Sequence, residues 1–122
     1  MGKKLLVALT LVATLLGPTA AHGGSAMCHG KTATIVGTNA DDDLFGTPGR
    51  DVIQAKGGFD EVHGLRGNDL ICGGGEPDAL WGGRGNDALY GGRDSPEAED
   101  NLYGGPGTDI CSNGIRLSGC EN

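Results

Sequence analysis

Eight aspartates occupy the sixth position of eight consecutive units of nine residues between positions 37 and 112. They are Asp42, Asp51, Asp60, Asp69, Asp78, Asp87, Asp100 and Asp109. Carboxylate oxygens at a fixed spacing can ligate a hard divalent cation. Aspartate side chains also close tight turns by bonding to nearby main-chain N–H groups, which is the simpler structural interpretation of the same residues. The spacing therefore predicts either a series of cation sites or a series of turns.

The other positions of the unit indicate what must hold the aspartates in place. Position eight is apolar in every unit: Leu44, Ile53, Val62, Ile71, Leu80, Leu89, Leu102 and Cys111. Glycine prevails at positions one, two and four, where positive φ angles and close backbone approach would let a turn curl until its carbonyl oxygens point inward. The seventh unit carries a four-residue insertion within RDSPEAED, at 93–100, which we expect to be a solvated surface loop.

One unit, GGRGNDALY at 82–90, matches in full the nonapeptide G-G-x-G-x-D-x-U-x of the repeats-in-toxin, or haemolysin-type, calcium-binding family, and the chain resembles that family throughout 37–112. The resemblance implies an all-β fold, a parallel β-roll or β-solenoid. Each nonapeptide would form a six-residue turn and a short strand, and two nonapeptides would form one coil. Eight units imply about four coils, with calcium between stacked turns.

In such a roll, aspartates eighteen residues apart stack along one edge at about the 4.8 Å spacing of neighbouring strands. At ~5 Å and an effective dielectric constant of ~20, two carboxylates repel by roughly 3 kcal/mol, so the column needs a cation between neighbours. Calcium fits because it takes about six to eight oxygens, whereas magnesium demands tighter octahedral geometry. The apolar core is small, so we expect a largely disordered calcium-free chain and folding that is coupled to Ca²⁺ binding.

The two edges of the predicted roll differ at position four. The even-numbered units keep glycine there, whereas Ala40 and Glu76 replace it in two odd-numbered units. We therefore expect three firm sites on the even edge and up to three weaker or absent sites on the odd edge. By the resemblance, the firm ligands are the carboxylates of Asp51, Asp69, Asp87 and Asp109 with the carbonyls of Gly49, Gly67, Gly83, Gly85, Gly105 and Gly107. The weaker edge carries Asp42, Asp60, Asp78 and Asp100.

The first residues predict export. Two early lysines, an uncharged and mostly apolar run over 5–16 and small residues before position 22 indicate a signal peptide over 1–21. The run is shorter than the ~20 residues of a membrane span, so no span is expected in the mature chain. The rest divides into an N-terminal cap segment over 22–36, the calcium-binding β-roll over 37–112 and a C-terminal cap over 113–122. We expect a monomer that is secreted, extracellular or associated with the cell envelope.

Four cysteines lie in the part predicted to be exported, and an even number there favours two disulfides. Three pairings are possible. We expect a Cys28–Cys72 bond, because Cys72 lies at an outward position and can fasten the segment 22–34 as a lid over the even sheet. That sheet presents unusually apolar outward residues at position seven, Val52, Leu70, Ala88 and Ile110. We expect a Cys111–Cys120 bond to close the C-terminal edge, and Ile35 to be the inward residue of an imperfect first unit.

Position nine of the odd units forms a row of ring-bearing side chains on the opposite outer face: Phe45, His63, Trp81 and Tyr103. Neighbouring aromatic residues stabilise a sheet by packing on one another. The alternative is a contact stripe for a carbohydrate or protein partner. We favour the packing interpretation.

Composition limits the function. The net charge of -7 argues against a nucleic-acid partner, which requires a basic surface. The chain has no GxSxG or HExxH motif, which argues against the alternative of a small secreted hydrolase. The sequence thus predicts a non-catalytic, calcium-binding secreted module. A second possibility is an adhesin or structural solenoid that contacts cell-envelope material through the aromatic row, with calcium in a structural role only.

Overall fold

The computed structural model describes residues 5–7, 25–92, 99–114 and 116–121, and these residues form strands and turns without any helix. The strands, in chain order, are β1 (Leu5–Val7), β2 (Met27–Cys28), β3 (Lys31–Thr32), β4 (Ile35–Val36), β5 (Asp42–Phe45), β6 (Val52–Lys56), β7 (Glu61–His63), β8 (Leu70–Gly74), β9 (Ala79–Trp81), β10 (Ala88–Gly92), β11 (Asn101–Tyr103), β12 (Ile110–Ser112) and β13 (Arg116–Ser118).

The strands coil into two parallel sheets that face each other. The odd sheet has the order β1-β5-β7-β9-β11-β13, and the even sheet has the order β12-β10-β8-β6-β4. Strands of units one, three, five and seven lie in the odd sheet, and strands of units two, four, six and eight lie in the even sheet. One coil therefore consists of two nonapeptides, and the predicted parallel β-roll of about four coils is confirmed.

The core runs along the centre of the roll, with one apolar side chain from most strands and two, Ile53 and Ala55, from β6. The residues at position eight are at most 5% exposed, and their register is direct: Leu44 pairs with Val62, and Ile53 with Ile71. Ile35 on β4 pairs with Ile53 and is buried, as expected for the inward residue of an imperfect first unit. Because a strand alternates its side chains between two faces, positions seven and nine face outward.

A small hairpin made by β2 and β3 caps the even sheet near its N-terminal end. Cys28 is fully buried and forms the expected disulfide with Cys72 on β8. His29 at the hairpin tip stacks on Tyr90 of β10, with 3.5 Å between the ring centroids. The hairpin lies against β6 and β8, where Leu70 is 9% exposed, but it leaves Ile110 on β12 at 54% exposure. The predicted lid thus covers only part of the apolar outer face.

The C-terminal end is closed in two ways. Cys111 and Cys120 form the second expected disulfide, and Cys120 packs against the core. Strand β13 adds to the odd sheet by pairing in parallel with β11. The disulfide thus fastens the C-terminal segment to the end of the roll, and β12 and β13 are the terminal strands of the two sheets there.

The aromatic row on the odd sheet is a continuous stack. Phe45, His63, Trp81 and Tyr103 follow one another at centroid distances of 5.0, 4.7 and 5.1 Å, with interplanar angles of 13° or less. Each inner ring uses both faces on its neighbours, and only ring edges remain for solvent. This geometry supports the packing interpretation, since a sugar binds an aromatic side chain through a ring face.

Two predicted segments lie mainly outside the described residues. Of the predicted signal peptide, only Leu5–Val7 is described, as the strand β1 beside β5. Of the predicted surface loop at 93–100, only the last two residues are described. Among the residues that the structure describes, no helix is long and apolar enough to cross a membrane.

Candidate metal centre

All eight repeat aspartates are buried, with exposures of 4% or less, in two columns along the edges of the roll. The even column contains Asp51, Asp69, Asp87 and Asp109, and the odd column contains Asp42, Asp60, Asp78 and Asp100. Each column runs from coil to coil because the strand that follows each aspartate pairs in register with the strand one coil away. Eight acidic side chains buried in this way require compensation by hydrogen bonds or by cations.

Hydrogen bonds supply part of the compensation that the buried carboxylates require. The Oδ1 atom of each aspartate beyond the first coil accepts the main-chain N–H of the aspartate one coil earlier. In the even column, Asp51 N–H donates to Asp69 at 2.8 Å, and Asp69 N–H donates to Asp87 at 2.7 Å. The insertion does not disturb the pattern, since Asp78 N–H donates to Asp100 at 2.7 Å across 22 residues. These bonds fix the orientation of the carboxylates beyond the first coil and use only one of the two oxygens of each.

Within the described part of the chain, the second carboxylate oxygen, Oδ2, of several of these aspartates lacks the compensating hydrogen bond that Oδ1 has. In Asp60, Asp69, Asp87 and Asp109 this atom is buried and has no hydrogen-bond partner among the described residues. Buried carboxylate oxygens are normally paired, so a row of such atoms at coil spacing calls for a positive ligand.

The pKa values agree with this arrangement. Burial raises the pKa of Asp69 from 3.8 to about 7; the hydrogen bond from the Asp51 amide opposes the rise, and the charges of Asp87 and Asp51 add to it. Burial likewise raises the pKa of Asp60 to about 7, with the charge of Asp42 as a smaller contribution. Burial also raises the pKa of Asp87. Without a cation, the edges therefore disfavour the charged form of these carboxylates.

The backbone of the turns brings carbonyl oxygens to the same edges. Beyond the first coil, position two adopts a positive φ even where it is not glycine, as in Leu65 at 79°. Position four does so at Gly67, Gly85 and Gly107 of the even edge. Successive turns are so close that a Cβ on Gly85 would overlap the carbonyl oxygen of Gly67. The even edge thus combines stacked carboxylates with stacked carbonyls, all hard oxygen donors.

The expectation that glycine at position one serves a positive φ is wrong. Positive φ values in the described repeats fall at positions two and four, not at position one. At position one the constraint is space: a Cβ on Gly64 or Gly82 would stand 2.6 or 2.5 Å from Oδ2 of the aspartate in its own unit. The glycine leaves room beside the second carboxylate oxygen.

The first coil differs from the others, a difference that the sequence analysis missed. Thr47 donates its main-chain N–H to Oδ2 of Asp51 at 2.6 Å and its hydroxyl to both carboxylate oxygens at 3.0 and 3.1 Å. Thr38 satisfies Asp42 in the same way. A threonine at position two is the signal that could have revealed it, because its hydroxyl can cap a turn. In these two units the aspartate closes a turn, as the simpler interpretation predicts.

The odd edge departs from the even one at Glu76. This residue takes the place of glycine at position four, adopts a φ of 68°, and accepts the Gly58 N–H with Oε2 at 2.9 Å. On the even edge the matching N–H, that of Gly67, bonds to the carbonyl of Arg84 at 2.9 Å. A carboxylate therefore stands on the odd edge where the even edge has a main-chain carbonyl. Position five also forms a ladder on the even edge, with Asn86 N–H bonded to Asn68 Oδ1 at 2.9 Å.

The donor set fits calcium. Each gap between neighbouring turns offers two aspartates from successive coils and main-chain carbonyls, which are the ligands that calcium prefers. In the part of the chain that is described, no group of three or more His, Cys, Asp and Glu side chains is placed to hold a metal ion. The side chains that line these edges supply carboxylate oxygens, and the further ligands available beside them are main-chain carbonyl oxygens.

Comparison with known proteins agrees with the geometry. A family model described as the RTX calcium-binding nonapeptide repeat matches the chain in four copies, at residues 36–71, 45–80, 63–95 and 97–115. The chain belongs to this family, and its repeats bind Ca²⁺. Proteins with such repeats are typically extracellular, and the two disulfides fit an oxidising environment. Searches of curated proteins and of solved structures give no match.

Proposed function

We propose that this protein is a secreted, non-catalytic calcium-binding module whose β-roll forms when calcium binds. The observation that carries the proposal is the row of buried Oδ2 atoms without hydrogen-bond partners at Asp69, Asp87 and Asp109 on the even edge. A cation between these carboxylates removes their repulsion and the cost of their burial together. The folded chain needs this compensation of its buried carboxylates, and the unfolded chain does not. Calcium binding and folding are therefore linked.

The structural details rank the proposed sites. The gaps between Asp69 and Asp87, and between Asp87 and Asp109, combine unbonded Oδ2 atoms with positive-φ glycines, and we assign them the tightest binding. The gap between Asp51 and Asp69 binds less tightly, because Thr47 already satisfies Asp51. On the firm edge the proposed carbonyl ligands remain those of Gly49, Gly67, Gly83, Gly85, Gly105 and Gly107. The odd edge binds more weakly, with Glu76 as an additional ligand candidate.

Export with removal of the signal peptide would alter one end of the fold. Cleavage after residue 21 would remove β1, so that β5 would become the terminal strand of the odd sheet. The four buried aspartates of the even edge accept main-chain N–H groups and do not face solvent, which argues against acid–base catalysis by them. An adhesin that uses the aromatic row is less well supported, because the inner rings stack on each other through both faces.

Calorimetric titration with calcium, run beside magnesium, and far-ultraviolet circular dichroism test the proposal. We expect several calcium ions per chain, weak or no binding of magnesium, and a β signal that appears with calcium and is lost in chelator. Asp87→Ala, which affects both tight gaps, should reduce calcium affinity more than Asp42→Ala, a matched control on the odd edge. Equal losses would refute the ranking of the edges, and an unchanged β signal in chelator would refute the coupling of folding to calcium.

A further inference from the structure

Exposed charges on the roll segregate by edge. The exposed charged side chains of the even units are three arginines, Arg50, Arg66 and Arg84, since the aspartates of those units are buried. The described odd units expose or half-expose five acidic side chains against one lysine, Lys56: Asp41, Glu76 and Glu99 lie outside the strands at the edge, and Asp43 and Glu61 lie on the adjoining outer face of the odd sheet. A strongly acidic protein thus carries one basic edge and, opposite to it, one acidic edge.

The basic edge contains an apolar hollow. It has a volume of about 490 Å³ and is lined by Pro48, Leu65, Arg66, Gly83, Arg84 and Pro106. Leu65 is 45% exposed at its floor. Arg66 and Arg84 stand one coil apart, linked by a parallel bridge. An occupant of this hollow must offer an apolar group to Leu65 and the prolines, and acidic groups to the two guanidinium groups.

The acidic edge of the same protein offers both. Phe59 projects from it at 56% exposure. Beside it, Asp41 Oδ1 accepts the Phe59 N–H at 2.8 Å and Glu76 Oε2 accepts the Gly58 N–H at 2.9 Å, so both carboxylates are held in place by the main chain. A second hollow of about 230 Å³ adjoins them, lined by Asp41, Phe59, Asp60, Glu61, Pro77, Asp78, Ala79 and Asn101. A guanidinium group fits its acidic wall and the exposed aromatic ring.

The two edges also share one period. Arg66 and Arg84 are separated by one coil, and Asp41 and Phe59 are separated by one coil. Two rolls that lie side by side with parallel axes therefore match charges and apolar groups at the same ~4.8 Å step. We propose that the basic edge of one copy docks on the acidic edge of a second copy, with Phe59 in the hollow at Leu65. Such a contact joins two different surfaces, so it continues into a row of molecules.

Calcium controls this contact, and this step rests on the proposed function. With all four aspartates ionised, the four carboxylates and three arginines of the even edge sum to one excess negative charge before any calcium is counted. The three expected calcium ions add six positive charges and convert the excess to five positive charges. Attraction to the acidic edge should therefore appear at calcium concentrations that fill the even-edge sites ahead of the weaker odd-edge sites, and it should weaken as salt rises. This association departs from the monomer that the sequence predicts.

Sedimentation velocity of the oxidised protein, over a range of concentrations in calcium and in chelator, tests the proposal. We expect the sedimentation coefficient to rise with protein concentration in calcium only. Arg84→Glu on the basic edge and Glu76→Arg on the acidic edge should each weaken association by roughly tenfold or more, because each places like charges opposite one another. Lys31→Glu on the hairpin is the matched control, outside both edges, and should associate like the parent.

The decisive measurement mixes the two variants. An equimolar mixture of Arg84→Glu and Glu76→Arg restores opposite charges at every contact, so association should return and would show that both variants are folded. A parent protein that stays monomeric in calcium, a mixture that stays monomeric, or equal losses in Lys31→Glu and Arg84→Glu would overturn the proposal. A monomeric parent that binds a uronic acid polymer, with loss of binding in Arg84→Glu, would also overturn it and assign the edge to an anionic polymer.

Calcium titration of the same samples separates this proposal from the proposed function. A parent that binds calcium and gains its β signal, but remains monomeric, contradicts only the docking of the two edges. A parent that binds no calcium contradicts the proposed function itself.

Discussion

Asp69→Asn removes the charge of one buried carboxylate and keeps its shape. Burial raises the pKa of Asp69, which is 2% exposed, from 3.8 to about 7. At ~1.36 kcal/mol per pKa unit, this shift corresponds to about 4 kcal/mol. The folded calcium-free chain holds the proton more tightly than the unfolded chain does. The contribution of Asp69 to the stability of the calcium-free fold is therefore greatest below pH 3.8 and is lost as the pH rises to about 7.

The amide introduced by Asp69→Asn still accepts the Asp51 N–H through Oδ1 and carries no charge at neutral pH. Its NH₂ group replaces Oδ2 in a buried place without an acceptor, which costs about 1 to 3 kcal/mol. We therefore expect the calcium-free variant to be more stable than the parent by roughly 1 to 3 kcal/mol near neutral pH. This advantage should disappear in acid, where the parent carboxyl is protonated. Calcium should stabilise the variant much less than the parent.

The assay is far-ultraviolet circular dichroism of calcium-stripped protein at acidic and neutral pH, titrated with urea or with the stabilising osmolyte trimethylamine oxide, and repeated in calcium. Glu121→Gln, which removes an exposed carboxylate, is the control and should change neither the stability of the calcium-free protein nor its stability in calcium. A calcium-free variant no more stable than the parent near neutral pH would refute the electrostatic reasoning. Equal stabilisation of variant and parent by calcium would refute the role of Asp69 as a ligand.

Three further substitutions test other parts of the structure. Gly85→Ala should prevent calcium-dependent folding, because at a φ of 136° its Cβ would overlap the Gly67 carbonyl of the preceding turn. Gly75→Ala has open space and should show the parent's circular dichroism in calcium. Serine replacement of both cysteines of the Cys28–Cys72 disulfide, which are 44 residues apart, should lower the free energy of unfolding by about 4 kcal/mol. The same replacement at Cys111–Cys120, which are 9 residues apart, should lower it by about 3 kcal/mol. Leu80→Ala, at a fully buried position, should cost about 2 to 5 kcal/mol in urea unfolding in calcium.

Features that depend on the period were predictable from the sequence. A repeat of nine with two units per coil sets strand register, so the core residues, the separation of even from odd units and the row from Phe45 to Tyr103 follow directly. The cysteine pairs were predictable for the same reason, because register places Cys72 on an outer face near the N-terminal segment and Cys111 on the last strand of the even sheet.

Features that depend on individual atoms were not predictable. The period places Asp69 above Asp51, but it does not tell which oxygen accepts the neighbouring N–H and which remains without a donor. Nor does it show that Thr47 supplies a donor to Asp51, or that Glu76 can enter the left-handed region and replace a main-chain acceptor. These details arise from side-chain reach within a turn, and they decide how strongly each gap needs a cation.

The coil of two nonapeptides determines how this protein can grow. A duplication of eighteen residues inserts one complete coil and leaves every later arginine and aspartate on its own edge. A duplication of nine residues exchanges the edges for everything downstream, and it would place Arg84 on the acidic side. We therefore expect lineages that lengthen or shorten the roll to gain or lose whole coils. Such changes keep the arginines and the acidic residues on separate edges, whereas the gain or loss of a single nonapeptide does not.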